Sequence, residues 1–181
     1  MKIFLVGFMG CGKSYIGKKL AQMLGFQFVD VDSVIENTEV LPESMGKVTI
    51  AKIFDFKGEP YFRQLESERL RGLGKWNEIV IATGGGAACF HNNMQWMNEH
   101  GITVYLKTQP ELLASRLKGE VEHRPILQGK TGEELLVFIQ EKLEAREVFY
   151  NKAQIIVHQN ADGDEIIFDI LQKILQLRIA N

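Results

Sequence analysis

The stretch GFMGCGKS, residues 7–14, stands between the apolar run KIFLV and a segment that places Ile16, Leu20, Met23 and Leu24 on one helical face. It fits G-x-x-x-x-G-K-[ST], a spacing that lets successive backbone N–H groups wrap a phosphate where bulkier residues would obstruct it. The helix that follows adds its positive N-terminal end. Such a loop works only between a strand and a helix, so it dictates a strand–loop–helix start and points to an α/β fold. In it, Lys13 supplies a point charge for the β- and γ-phosphates, and the Ser14 hydroxyl is a ligand for Mg²⁺. An accidental glycine-rich turn would not need that context. The same N-terminus, MKIFLVGFMGC, has the outline of an export signal, with one lysine ahead of an apolar run. The lead-in carries a single charge, and Lys13, Lys18 and Lys19 follow at once, so the phosphate loop is the better account.

The rest of the chain alternates in the way that loop requires. Apolar runs at residues 26–30, 78–83, 102–106 and 154–158 read as strands, and helical patterns cover 59–73, 110–118, 131–151 and 164–177. The strands are nearly continuous apolar runs, as expected of parallel strands buried on both faces. The expected fold is therefore a three-layer α/β/α arrangement around a central five-stranded parallel sheet. With 181 residues, one domain spanning 1–181 is expected. A net charge of −2 leaves no basic excess to steer nucleic acid or an anionic membrane surface, so neither is expected as a partner. Cys11 and Cys89 are too few for a disulfide framework or zinc site, and a cytoplasmic, reducing setting is expected. Two stretches look irregular: residues 39–47 (EVLPESMGK) and 118–132 (KGEVEHRPILQGKTG), the second with an isolated Arg124.

Several residue groups carry chemistry. The second strand ends in DVD, and residues two apart in extended chain point the same way, so Asp30 and Asp32 are expected to face the strand ends near the loop. One carboxylate suits Mg²⁺, and the other suits orienting or deprotonating an acceptor hydroxyl. Asp32 also suits the N-cap of the helix beginning VIE. In GEPYFRQLESERLRG, residues 58–72, Arg69 and Arg71 read as a solvated face. TGGG, residues 83–86, closes the third strand, and its glycines permit close approach to the backbone and expose N–H groups to an anion. Guanine-specific phosphate-loop proteins usually carry Asn-Lys-x-Asp. Here residues 151–154 read NKAQ, which favours ATP. Cys11 reads as a small side chain tolerated inside the loop.

In order and spacing, GFMGCGKS, DVD, GEPYFRQLE, VIATGGG, HRPIL and AREVFY resemble the shikimate kinases from Lys2 to about Leu175. The phosphate loop alone is unspecific, and GExxFRxxE followed by the triple glycine is much more selective. The resemblance implies ATP-dependent phosphorylation of the 3-hydroxyl of shikimate, with ATP and Mg²⁺ as cofactors and a monomeric enzyme. It implies nucleotide contacts from Gly10, Cys11, Gly12, Lys13, Ser14, Tyr15, Arg116 and Arg124, and metal ligation by Ser14 and Asp30. Asp32 would activate the acceptor. Arg63 and Arg146 would grip its carboxylate, and Gly84, Gly85 and Gly86 would touch its ring and hydroxyls. Catalysis would rest on Lys13, Asp32 and Arg124, the last on a lid at about 118–131, with the acceptor segment at about 32–75. Glu66 would orient Arg63.

The chain departs from that pattern in three places. Residues 39–47 lengthen the interval between Asp32 and Arg63. The segment HQNADGDE, residues 158–165, lacks a proline often found beside the adenine, and Ala82 has no hydroxyl where some relatives have one. The alternatives are a related kinase for another small acid, such as gluconate, and a nucleotide-binding module without catalysis.

Overall fold

The computed structural model describes residues 1–119, 127, 129–160 and 163–180. Five strands form one wholly parallel sheet: β1 (Lys2–Val6), β2 (Gln27–Asp30), β3 (Ile79–Ala82), β4 (Ile102–Thr108) and β5 (Ile155–Gln159). Their order is β2-β3-β1-β4-β5, so β1 lies between β3 and β4. Chain order reverses there, and ligands of open α/β sheets bind beyond the strand ends at such a point. Ile3, Phe4, Leu5, Ile79, Val80, Ile81 and Val104 are fully buried, which is why these strands lack apolar–polar alternation.

Helices cover both faces: α1 (Lys13–Leu24), α2 (Val31–Thr38), α3 (Ile50–Gly72), α4 (Asn93–His100), α5 (Pro110–Leu117), α6 (Gly132–Tyr150) and α7 (Glu165–Ala180). The expected layering and sheet are present. Three local features differ from expectation. Helix α3 begins at Ile50, nine residues before the expected 59, and runs past Gly58 (φ 81°, ψ 165°) and Pro60. The chain kinks at that glycine, and Pro60 falls in the first turn of the second half, where a missing N–H breaks no helical bond. Helix α4 was not expected, because NNMQWMNEH has few apolar residues and buries only Asn93, Met94 and Met97.

The third difference concerns DVD. Asp30 ends β2 and Val31 already opens α2, so the two carboxylates do not share an extended segment. Asp30, rather than Asp32, caps the helix: its side chain accepts from the backbone N–H of Asp32 at 3.0 Å and of Ser33 at 3.5 Å. Asp32 sits in the first turn, where a carboxylate is favoured by the helix dipole.

Candidate active site

A cleft of about 260 Å³ opens beyond the end of β1, lined by Met9, Gly10, Gly12, Lys13, Ser14, Tyr15, Asp30, Asp32, Thr83, Gly85, Arg116 and Leu117. Glycine is required at its floor. Gly12 caps α1 with φ 87°, a left-handed conformation that side-chain-bearing residues rarely adopt. Lys13 is 8% exposed, and its ammonium donates to Gly7 O at 2.8 Å and Phe8 O at 2.9 Å. The charge is thus braced on the loop that must receive a phosphate. Cys11 is buried, and its sulfur lies 3.6 Å from the same ammonium.

Ser14 Oγ donates to Asp30 Oδ2 at 2.5 Å. This joins the first turn of α1 to the end of β2 and sets two hard oxygen ligands side by side. Such donors suit Mg²⁺, which takes one or two protein oxygens beside substrate phosphates. Among the described residues no cluster of three or more His, Cys, Asp or Glu is placed to hold a metal. The donor set therefore fits a metal shared with a nucleotide better than a dedicated cage.

The triple glycine is explained by protein contacts. A Cβ on Gly84 would lie 2.2 Å from Glu66 Oε1 and 3.0 Å from Asp32 Oδ1. On Gly85 it would lie 3.0 Å from the Met9 backbone nitrogen, and on Gly86 2.7 Å from both terminal nitrogens of Arg63. Real side chains essentially never tolerate the first and last of these distances. The turn thus lets a carboxylate pair, the phosphate loop and a guanidinium converge on one strand end. Gly85 lines the cleft, whereas Gly84 and Gly86 form its backing.

Arg63 is 5% exposed. Its Nε and Nη2 donate to Glu59 Oε1 at 3.1 and 3.0 Å, and its Nη1 to Glu66 Oε2 at 2.9 Å. The guanidinium stacks over the Phe90 ring at 4.6 Å. Arg146 reaches the same place from α6, its guanidinium 5.5 Å from the Phe8 ring and 3.5 Å from Gly85 O. Tyr150, fully buried one turn on, donates its hydroxyl to Gly85 O, and burial raises its pKa. Helix α6 therefore fastens the glycine turn. Arg124 lies outside the described residues, as does most of the expected lid. Arg71 is exposed as expected and donates to His91 O at 2.7 Å, but Arg69 is half-buried with its Nε enclosed. The packing of α3 against α2 covers it, so the expected solvated face applies to Arg71 alone.

Glu66 is a strongly perturbed carboxyl of the site. Its side chain is wholly buried, and Oε1 has no hydrogen-bond partner among the described residues. Desolvation pushes its pKa from 4.5 up to about 7, against the opposing pull of Arg63. A carboxyl whose pKa is raised on folding contributes stability that is full below its unfolded pKa and lost as pH rises through the folded value. From pH 4.5 to 7 the wild type should therefore lose roughly 3 kcal/mol relative to Glu66→Gln. Urea unfolding across that window measures the difference, and parallel pH profiles would refute it.

A second cavity, about 290 Å³, adjoins the cleft and shares Gly12, Tyr15 and Arg116 with it; Ile16, Gln159 and Gly163 complete the wall. Arg116 Nη1 donates to Gly10 O at 3.2 Å and to Gln159 Oε1 at 3.1 Å. Tyr15 is fixed by its hydroxyl bond to Asp164 at 3.0 Å. The expected adenine segment, residues 158–165, contains Gln159, but sequence reasoning did not single it out, and its one local signal was its place at the end of a strand.

Comparison with known proteins gives the family and the fold. The model of the family described as shikimate kinase matches residues 9–175. A shikimate kinase of Bacteroides fragilis is 43% identical over 185 aligned residues that cover 100% of this chain and 99% of its own. The crystal structure of shikimate kinase from Bacteroides thetaiotaomicron superposes with a TM-score of 0.82 at 39% identity, covering 98% of this chain and 97% of that one. Shikimate kinase from Acinetobacter baumannii in complex with shikimate gives 0.80 at 35% identity, covering 99% and 93%.

Proposed function

The chain belongs to the shikimate kinase family, and from that premise we propose how its residues divide the work of moving the γ-phosphate of ATP to shikimate. The enzyme is an ATP-dependent kinase acting on a hydroxyl of shikimate, giving shikimate 3-phosphate and ADP. One observation carries the assignment of roles. The cleft at the phosphate loop carries Asp30, Asp32 and Gly85 beside Lys13, and an adjoining cavity carries Gln159 beside Tyr15 and Arg116. The loop thus adjoins both an acidic cleft for the acceptor and a separate cavity for the nucleoside, as transfer of a phosphate between them needs.

Asp32 is the group that orients and deprotonates the 3-hydroxyl. Arg63 and Arg146 take the carboxylate of shikimate. After its bonds to Glu59 and Glu66, Arg63 keeps one N–H on each terminal nitrogen, a pair suited to a bidentate carboxylate. Gly84, Gly85 and Gly86 supply the backbone edge against the acceptor. On the nucleotide side the residues are Gly10, Cys11, Gly12, Lys13, Ser14, Tyr15, Arg116 and Arg124. Lys13 and Arg124 offset charge on the transferring phosphoryl oxygens. Ser14 and Asp30 would hold Mg²⁺, which when bound neutralises phosphate charge. We read residues 1–181 as a single kinase domain, with the acceptor segment at about 32–75 and the lid at about 118–131.

A monomer is the expected state. A cytoplasmic setting fits two free cysteines, Cys11 and Cys89, and no described helix is long and apolar enough to cross a membrane. The test is ADP release with Mg-ATP and shikimate, gluconate or no acceptor. Release with shikimate alone is expected, and equal release with gluconate would refute the acceptor. Within that assay, Arg63→Ala should raise the KM for shikimate about tenfold to a hundredfold and leave that for ATP unchanged. An unaltered KM for shikimate removes Arg63 from the carboxylate site.

A further inference from the structure

Gln159 ends β5 opposite Thr108 of β4, at the sheet edge that carries the nucleotide loop. It is 6% exposed and lines the cavity beside Tyr15 and Arg116. Its Oε1 accepts two hydrogen bonds, from Arg116 Nη1 at 3.1 Å and from Thr108 Oγ1 at 3.0 Å. Its NH₂ group makes no hydrogen bond among the described residues. The amide orientation follows from chemistry. Arginine has donors only, so the atom facing Arg116 must be the oxygen, and the NH₂ is left for the cavity. The same arginine donates to Gly10 O of the phosphate loop, which ties the amide to the loop across the cavity mouth.

The arrangement is a built site. Gln159 is locked by two bonds to its oxygen, so its NH₂ is the donor it can offer to a ligand in the cavity next to the phosphate loop. Tyr15 forms the other wall. Its hydroxyl donates to Asp164 Oδ1 at 3.0 Å, and Lys19 pairs with Asp164 Oδ2 at 2.5 Å, fixing the ring on the cavity side of α1. A flat ring between Tyr15 and Arg116 would present its edge to Gln159.

We propose that Gln159 is a base-recognition residue, held by Arg116 and Thr108 so that its NH₂ donates to a ring nitrogen on the edge of the bound purine. Arg116 then acts as a positioning residue for the amide as well as a neighbour of the ring. The inference rests on the nucleotide side assigned above, and it concerns binding of the base rather than transfer of phosphate.

The test is equilibrium binding of ADP and of its 1-deaza, 3-deaza and 7-deaza analogues, followed by calorimetric titration. Wild type should bind one of the three about tenfold more weakly than ADP, the size expected for one lost hydrogen bond. Gln159→Glu keeps an acceptor for Arg116 and Thr108 but removes the donor. It should bind ADP about tenfold more weakly and no longer distinguish that analogue. The proposal is overturned if wild type binds all three analogues as tightly as ADP, a result that needs no variant to fold. It is equally overturned if folded Gln159→Glu binds ADP with wild-type affinity. Shikimate-dependent ADP release is read separately: its absence beside intact analogue discrimination would sink the acceptor assignment and keep this one.

Discussion

Lys13→Ala should lower kcat by a factor of about 10²–10³, the usual consequence of removing one charge-stabilising contact from a preorganised site. The ammonium stands within the loop, braced on the carbonyls of Gly7 and Phe8, and is 8% exposed. A cation enclosed in that way acts at a lower effective dielectric than a surface lysine, so its loss is not made good by solvent. Lys13→Arg should not restore the rate, because a planar fork cannot take the place of a compact point charge braced by two carbonyls. Steady-state kinetics beside a melting curve separate lost chemistry from lost fold. A folded Lys13→Ala protein that turns over at the wild-type rate would end the assignment of Lys13 to the phosphoryl group.

The second large effect is expected at Asp32. Asp32→Asn preserves shape and removes the proton acceptor, and general-base contributions are commonly about 10²–10⁴ in rate. Asp32 lines the cleft, and its Oδ1 points toward Gly84 near the buried Glu66. The loss should fall on kcat far more than on the KM for shikimate, since asparagine can still bond a hydroxyl. The same substitution at Asp30 should behave differently. There it would disturb the Ser14 bond and the cap of α2, and so reduce metal dependence and stability together. A variant of Asp32 with unchanged kcat would require another base.

The phosphate loop was legible because its chemistry is local: a fixed spacing of glycines, a lysine and a serine between one strand and one helix. The strands were legible because strands buried on both faces are apolar throughout, and Lys2–Val6 and Ile79–Ala82 are written that way. What sequence hid was of two kinds. The expected helix began at 59, just after Gly58, and that glycine proved to be a kink within a longer α3. The weakly apolar α4 gave no periodic pattern to find.

Contacts between distant residues were hidden for a different reason. TGGG suggested room for a ligand, but its glycines also clear space for Glu66, Met9 and Arg63, and nothing in four letters reports those neighbours. Gln159 depends on Arg116, 43 residues earlier, and is an ordinary strand residue until the sheet is assembled. Arg69 read as solvated from its helix alone and is half-covered once α3 packs on α2. The residues that set geometry were thus harder to read than those that bear charge at a motif.

The most direct measurement is the position of the phosphate on the product, followed by phosphorus and proton magnetic resonance after incubation with Mg-ATP and shikimate. The account predicts one phosphorylated species, esterified at the 3-hydroxyl and equal in amount to the ADP formed. ADP without phosphorylated shikimate, or phosphate on a different hydroxyl, would contradict it.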